Sequence, residues 1–337
     1  MIPPLKNATR ADVRCLPWLA PDGTMACIVL VKQRYVVDPR GNVRPDDGAE
    51  VQLADVPWDE DAPEKSTTRY PSDLCLRKPS TDVVVAAVAM KKGRERTTSL
   101  DVLVRVGTIE RFLRVHGPRV WYRAVGGLAP GPAEPFQSLQ LRWEHAFGGK
   151  DLESGKPLEE PRNPAGRGVA READALVHQP APQIEDPRRP ITGLRGNEPW
   201  GVASIGRHWD PRRRFVGTYD EAWKKERMPL PPLDFDDRFN QCAAPGLVAK
   251  SPLTGGERVQ LHNLHEDGPL QFELPRVQYF VGARLGRRLI EYRPQLDTVL
   301  FEPNQRTFDL TWRSVLPLPR QEGLLELVQV HEKKRLS

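Results

Sequence analysis

The sequence predicts a mainly β chain: an antiparallel β-sandwich or open barrel with a long proline- and glycine-rich loop region and few short helices. Three observations lead there. Leu100, Val102, Val104 and Val106 alternate with Asp101 and Arg105, the period of two that a half-buried strand requires. Ile28 to Val37 is dense in β-branched residues and stops at the turn sequence Asp38-Pro39-Arg40-Gly41-Asn42. The 34 prolines in 337 residues each fix φ and remove a backbone donor, which leaves little room for long helices.

Taken in order, Ile28 to Val37 is the first strand, with a second run near Val51 to Leu53. Trp58 to Tyr70 is polar and acidic and reads as a surface loop. Thr81 to Met90 is a continuous apolar run of the kind a strand buried on both faces requires. Leu100 to Val106 turns at Gly107-Thr108 and returns as Ile109 to His116; Gly117-Pro118 then leads into Arg119-Val120-Trp121-Tyr122, which extends the pair into an antiparallel meander. From Pro130 to Pro252 lie 17 of the 34 prolines, among too many aromatic residues for a low-complexity linker, so this stretch is an ordered, loop-rich region. Within it Glu221 to Arg227 forms one or two helical turns.

Strands resume at Val259 to Asn263 and Gln278 to Arg284. Leu296 to Phe301 and Thr307 to Arg313 flank Glu302-Pro303-Asn304-Gln305 as a hairpin, with Phe308, Leu310 and Trp312 on one face and Asp309, Thr311 and Arg313 on the other. Leu324 to Val330 adds a last strand before a basic tail. Neither end alone supplies enough alternating strands to close a core. The expectation is therefore one β-rich domain over 1–320, made of an N-terminal sheet (28–121), the loop-rich region (130–252) and C-terminal strands (259–320), with the last strand and tail at 321–337.

Apolar content of 39% with 28% charged residues is that of a folded chain. No apolar run reaches the ~18 residues of a membrane span, and the N-terminus lacks the basic-then-apolar pattern of a secretion signal. These observations predict a cytoplasmic protein with no membrane partner. Cys15, Cys27, Cys75 and Cys242 are scattered without a C-x-x-C pair and read as isolated buried thiols. The net charge of +5 is polarised: Pro45 to Glu64 holds eight acidic residues and no basic one, whereas Pro187 to Arg214 holds seven arginines. Blocks of opposite sign pair with each other or face a protein partner of complementary charge, which weighs against nucleic acid.

No complete catalytic constellation is present. The chain has neither G-x-x-x-x-G-K-[ST] nor G-x-G-x-x-G after a strand. Ser204 in G-V-A-S-I-G has Val202 where a nucleophile elbow needs glycine. His262 and His265 have an odd spacing that puts their rings on opposite faces of a strand, so no metal and no other cofactor is expected. Glu144, Glu185, Asp220, Asp234 and Asp236 lie near aromatic residues, which leaves a carbohydrate-active hydrolase using paired carboxylates as the alternative function. Carboxylates in proline-rich loops more often cap backbone N–H groups or meet arginines, here those of Asp210-Pro211-Arg212-Arg213-Arg214.

Trp209 to Asn240 concentrates these features: aromatics, prolines, a turn glycine and clustered carboxylates, without apolar periodicity. Gly217 is placed to turn the chain, Asp220 to cap the turn that contains Trp223, and Asp234 and Asp236 to meet arginines. The stretch reads either as a structural staple or as a docking surface.

A set of short motifs in fixed order carries a family resemblance from Lys32 to about Pro317. They are Ser72-Asp73-Leu74, Lys78-Pro79-Ser80-Thr81-Asp82-Val83, Val106-Gly107, Gly117-Pro118-Arg119-Val120-Trp121, Arg142-Trp143-Glu144-His145-Ala146-Phe147-Gly148-Gly149 and Asn163-Pro164-Ala165-Gly166-Arg167-Gly168. Then come Pro182-Gln183-Ile184-Glu185, Trp209-Asp210-Pro211-Arg212, Gly217-Thr218-Tyr219-Asp220-Glu221-Ala222-Trp223, Pro231-Pro232-Leu233-Asp234-Phe235-Asp236, Leu296-Asp297-Thr298-Val299 and Leu310-Thr311-Trp312-Arg313. The chain resembles the bacterial proteins grouped as domain of unknown function 2169, associated with type VI secretion. The resemblance implies a non-enzymatic chaperone or adaptor that binds an effector or PAAR-like spike-tip protein and helps load it onto VgrG. It brings no catalytic residues. Candidate structural or partner-binding residues are Arg119, Trp121, Trp143, Glu144, Glu185, Trp209, Arg212, Tyr219, Asp220, Trp223, Asp234 and Asp236. Gly117-Pro118-Arg119 departs from the family in lacking an aspartate before the arginine, which removes a local ion-pair partner.

Overall fold

β-branched, alternating segments from both ends of the chain enter the same sheets. The computed structural model describes residues 3–152, 157–318 and 325–333, and the chain is mainly β, with 42% strand and 9% helix. The main sheet has six strands. In spatial order they are Asp12–Leu19, Met25–Val37, Thr307–Leu318, Gln295–Glu302 and Asp82–Val85, with Val43–Asp46 paired to the end of Met25–Val37. All pairings are antiparallel except Asp82–Val85, which joins Gln295–Glu302 in parallel, so the sheet is mixed. The hairpin around Glu302 to Gln305 is present, closed by a short 3-10 turn at Pro303–Gln305.

A five-stranded sheet orders Ile184–Glu185, Ile109–His116, Ser99–Val106, Arg258–His262 and Leu270–Glu273. A four-stranded sheet orders Leu5–Ala8, Leu325–Glu332, Tyr279–Leu285 and Arg288–Tyr292. Among the described residues no sheet closes into a barrel.

One face of the main sheet packs on both smaller sheets. Phe272 stacks on Phe308 at 5.1 Å and meets Phe301 edge-on at 6.2 Å, and Tyr279 meets Trp312 edge-on at 4.9 Å. These apolar side chains are the ones that period-two alternation turns inward, and burying each contributes ~1.5–3 kcal/mol. The opposite face is also covered. Ala26, Ile28 and Leu30 pack under Val51 and Leu76, and beside them lies a buried ionic network. Arg313 donates to Asp297 at 2.5 Å and to the carbonyls of Cys75 and Asp73 at 2.7 and 2.8 Å. Lys32 donates to Asp73 at 2.9 Å, and Lys78 donates to Asp82 and to the Thr298 hydroxyl, each at 2.8 Å. The motifs at Asp73, Lys78-Asp82, Asp297-Thr298 and Arg313 are thus one interlocked set, in which each buried charge has a partner.

Several expectations are corrected. Asp309, Thr311 and Arg313 do lie on the opposite face from Phe308, Leu310 and Trp312, and all three are buried: Arg34 pairs with Asp309, and the segment Asp73 to Cys75 meets Thr311 and Arg313. Val51 to Leu53 forms no strand; its backbone is held by carboxylates, Val51 N–H by Asp12 at 2.9 Å and Gln52 N–H by Asp73 at 2.8 Å. Thr81 to Met90 breaks at Ala86-Ala87 into Asp82–Val85 and Val88–Met90; the second piece pairs with Ser138–Gln140, and the Asn304 side chain bonds the Val88 N–H and carbonyl. The meander stops after two strands: Gly117-Pro118 turns the chain away, Trp121–Ala124 pairs with Gly127–Pro130, and Ile184–Glu185 takes the vacant edge. Cys15 and Cys27 are disulfide-bonded rather than isolated, since the register of Asp12–Leu19 on Met25–Val37 brings their Cα atoms to 6.4 Å. Cys75 and Cys242 are buried free thiols as read. The end of the basic tail, 334–337, lies outside the described residues. Among those described, no helix is long and apolar enough to cross a membrane.

Candidate protein-docking site

Two loop motifs lock each other to form the base of the site. Asn163, fully buried, donates its amide to the carbonyls of Trp143 at 3.0 Å and Phe147 at 2.9 Å, and its own carbonyl accepts from Gly149 N–H at 2.8 Å. Gly166 is required here, because a Cβ would come within 2.4 Å of the Asn163 amide nitrogen. Arg167 closes the other end by donating to the Glu144 carbonyl at 2.7 Å. Trp143 is buried against Gly201, donates its indole N–H to the Ser204 carbonyl at 2.9 Å, and meets Trp209 edge-on at 5.9 Å.

Trp209 is therefore the point at which the stretch Trp209 to Asn240 roots in the fold. Arg212, 7% exposed, inserts inward and donates to the carbonyls of Ile205 at 2.8 Å and Phe239 at 2.9 Å. It meets no carboxylate, contrary to expectation; burial pulls its pKa below the ordinary value. Arg213 and Arg214 do pair with Asp210. Phe215 and Phe239 lie under the guanidinium groups of Arg238 and Arg212. These residues form a stem fixed at both ends.

Beyond the stem the chain leaves the body as a head, Thr218 to Asp234. Gly217 turns it at φ +83°, where a side chain would be strained and its Cβ would strike Asp234 at 2.9 Å. Asp234 clasps the base of the head by accepting from the Thr218 N–H at 3.0 Å and hydroxyl at 2.7 Å, bonds that hold its carboxyl below the usual range. It meets no arginine, contrary to expectation; Thr218 is its hydrogen-bond partner. Asp236 does pair, with Arg238 at 2.6 Å. Asp220 caps the helix Glu221–Glu226 by accepting from Trp223 N–H at 2.8 Å, as the sequence indicates, and the Trp223 indole donates to the Leu230 carbonyl at 2.8 Å. Arg227 ties the head to the Pro21 carbonyl in the turn between the first two strands of the main sheet, and to the Pro231 carbonyl at 2.9 Å.

The head displays what a fold normally hides. Leu233 is 86% exposed, Met228 61% and Tyr219 53%, the last packed edge-on against Trp223 at 4.6 Å. Beside them is an open cavity of about 410 Å³ lined by Trp223, Pro232 and Leu233. Large apolar side chains exposed to solvent next to a groove are a feature of docking surfaces. The sequence reading did not single out Leu233 and Met228. Their signal is Met228-Pro229-Leu230-Pro231-Pro232-Leu233, where prolines bar the apolar residues from joining a core strand.

The remaining candidates lie elsewhere and hold the frame. Glu185 is buried; burial pushes its pKa up, but His116 at 2.8 Å, Arg119 at 2.9 Å and the Ile191 N–H hold it below the usual range. Arg119 thus has a buried carboxylate partner in Glu185. Trp121 is fully buried with Leu128, Phe147 and Ile191 in a satellite core. Glu144 accepts from the Thr67 N–H at 2.8 Å and hydroxyl at 2.7 Å. Glu144, Glu185, Asp234 and Asp236 are each engaged by a different local partner, and the structure brings no two of them to one of these bond sets. Among the described residues no group of three or more metal-ligating side chains converges.

Residues 22–313, most of the chain, match the family model described as an uncharacterized protein conserved in bacteria, DUF2169. No curated protein and no solved structure matches the chain.

Proposed function

The chain belongs to the DUF2169 family, and from that premise we propose that it is a non-enzymatic adaptor or chaperone that docks a secreted effector or PAAR-like spike-tip protein through the Thr218–Asp234 head and helps load it onto VgrG. The observation that carries this reading is the exposed apolar head, with Leu233 86% in solvent, on a stem locked by Trp143, Asn163 and Arg212. An exposed apolar surface beside a groove favours capture of a partner, because covering it removes apolar area from water. The hydrolase alternative gains no support from the carboxylates, which serve as a cap, a clasp and ion-pair partners.

The test is co-expression with a candidate effector or PAAR-like protein from the same genome. The partner should be retained on the tagged chain and should stay soluble only in its presence. Equal solubility and equal secretion of the partner in the absence of this chain would contradict the proposal.

A further inference from the structure

We propose that the groove on the head receives one bulky apolar side chain of the partner flanked by lysine or arginine residues; this rests on the docking reading above. Trp223, Pro232 and Leu233 give the groove its apolar lining, around an opening of about 410 Å³, within the range of ~300–1,000 Å³ over which pockets take a ligand group. The rim has the opposite character. Asp220, Glu226 and Asp234 line it against a single cation, Arg227, so three carboxylates face one guanidinium and the local charge is −2.

The state of these four groups decides what they can recognise. Arg227 is held on the carbonyls of Pro21 and Pro231, and its single charge offsets only one of the three carboxylates. Asp220 and Asp234 are fixed by the Trp223 N–H and by Thr218, so their charges sit at set positions. Glu226 is exposed and makes no hydrogen bond or ion pair with a described residue, which leaves both its oxygens for an incoming cation. Of the two lysines on the same helix, Lys224 bonds Glu221 at 2.8 Å, and Lys225, though next to Glu226, does not line the groove. An apolar floor inside an anionic rim repels acidic peptides and anionic surfaces alike, and complements an apolar anchor with basic neighbours.

Fluorescence anisotropy of the full chain with three labelled peptides of equal length tests this. One carries a central leucine flanked by lysines, one the same leucine flanked by glutamates, and one the lysines around a central glycine. The lysine–leucine peptide should bind at least roughly tenfold tighter than either of the others, and Glu226→Lys should weaken it about fivefold, a loss that shrinks in high salt. Lysine- and glutamate-flanked peptides binding within about twofold of each other, or none binding at about 1 mM, would overturn the proposal. The docking reading is scored separately by Leu233→Ser on the co-expressed partner protein. If that variant releases the partner while peptide charge has no effect, the basic flank is wrong and the docking site stands. If Leu233→Ser leaves the partner bound, both fall.

Discussion

Arg313→Met probes the network beneath the main sheet. The guanidinium of Arg313, with 3% of its side chain exposed, is shared between Asp297, 1% exposed, and two carbonyls, those of Cys75 and Asp73. Removing it strands the Asp297 carboxylate in the interior, which costs ~3–5 kcal/mol for a broken buried pair. Each carbonyl also loses a donor, at ~1–3 kcal/mol before relaxation. Because the neighbours relax together, a total loss of about 4–6 kcal/mol is expected, a large part of the ~5–15 kcal/mol by which a domain is ordinarily stable. Urea denaturation followed by tryptophan fluorescence should show the midpoint falling by roughly 1–2 M. The double change Arg313→Met with Asp297→Leu should recover most of the loss, since it removes both charges and leaves an apolar pair. An Arg313→Met midpoint within the error of the parent, or a double variant less stable than either single one, would refute the account of this network.

Three further outcomes follow from the same geometry. Asn163→Ala leaves the Trp143 and Phe147 carbonyls without their donor and should destabilise by about 2–4 kcal/mol in the same urea assay. Asp220→Ala removes the cap on Trp223 N–H and should cost about 1 kcal/mol, read as a few degrees in Tm by calorimetry. His145 is half-buried beside Arg167 and Arg142, and loss of solvent first, then those charges, lower its pKa to about 4. The fold therefore holds it neutral. The unfolded chain binds the extra proton from about pH 6.5 downward, so this contribution to stability is complete above about 6.5 and is lost as pH falls towards about 4. The unfolding free energy should drop by about 2 kcal/mol between about pH 7.5 and 5, and His145→Gln should flatten that slope.

What the sequence made legible was local. Alternation at Leu100 to Val106 and the hairpin around Glu302 to Gln305 depend only on nearby residues, and so does the Asp220 cap on the helix Glu221–Glu226. What it concealed depends on contacts distant along the chain. The polar face of Asp309, Thr311 and Arg313 was readable, but not its cover, because the residues over it come from the loop around Asp73 and Lys78. Cys15 and Cys27 meet only once strand register is fixed, and spacing alone does not fix it. In the candidate site the stretch from Trp209 was visible by composition, yet its division into stem and head was not. Arg212 and Arg214 look alike in sequence; one is buried on carbonyls and the other stays out on Asp210, a difference set by the Ile205 and Phe239 carbonyls waiting below.

The claim that the head binds while the stem only holds it is tested most directly by one comparison. Leu233→Ser and Tyr219→Ser are surface changes and should leave the urea midpoint within the ~0.5 kcal/mol typical of such sites. Retention of the co-expressed effector or PAAR-like partner on these two variants is the measurement. The account predicts that both fold as the parent does and lose most of the partner, as truncation of interface anchors does elsewhere. Variants that fold normally and retain the partner at the parent level would contradict it.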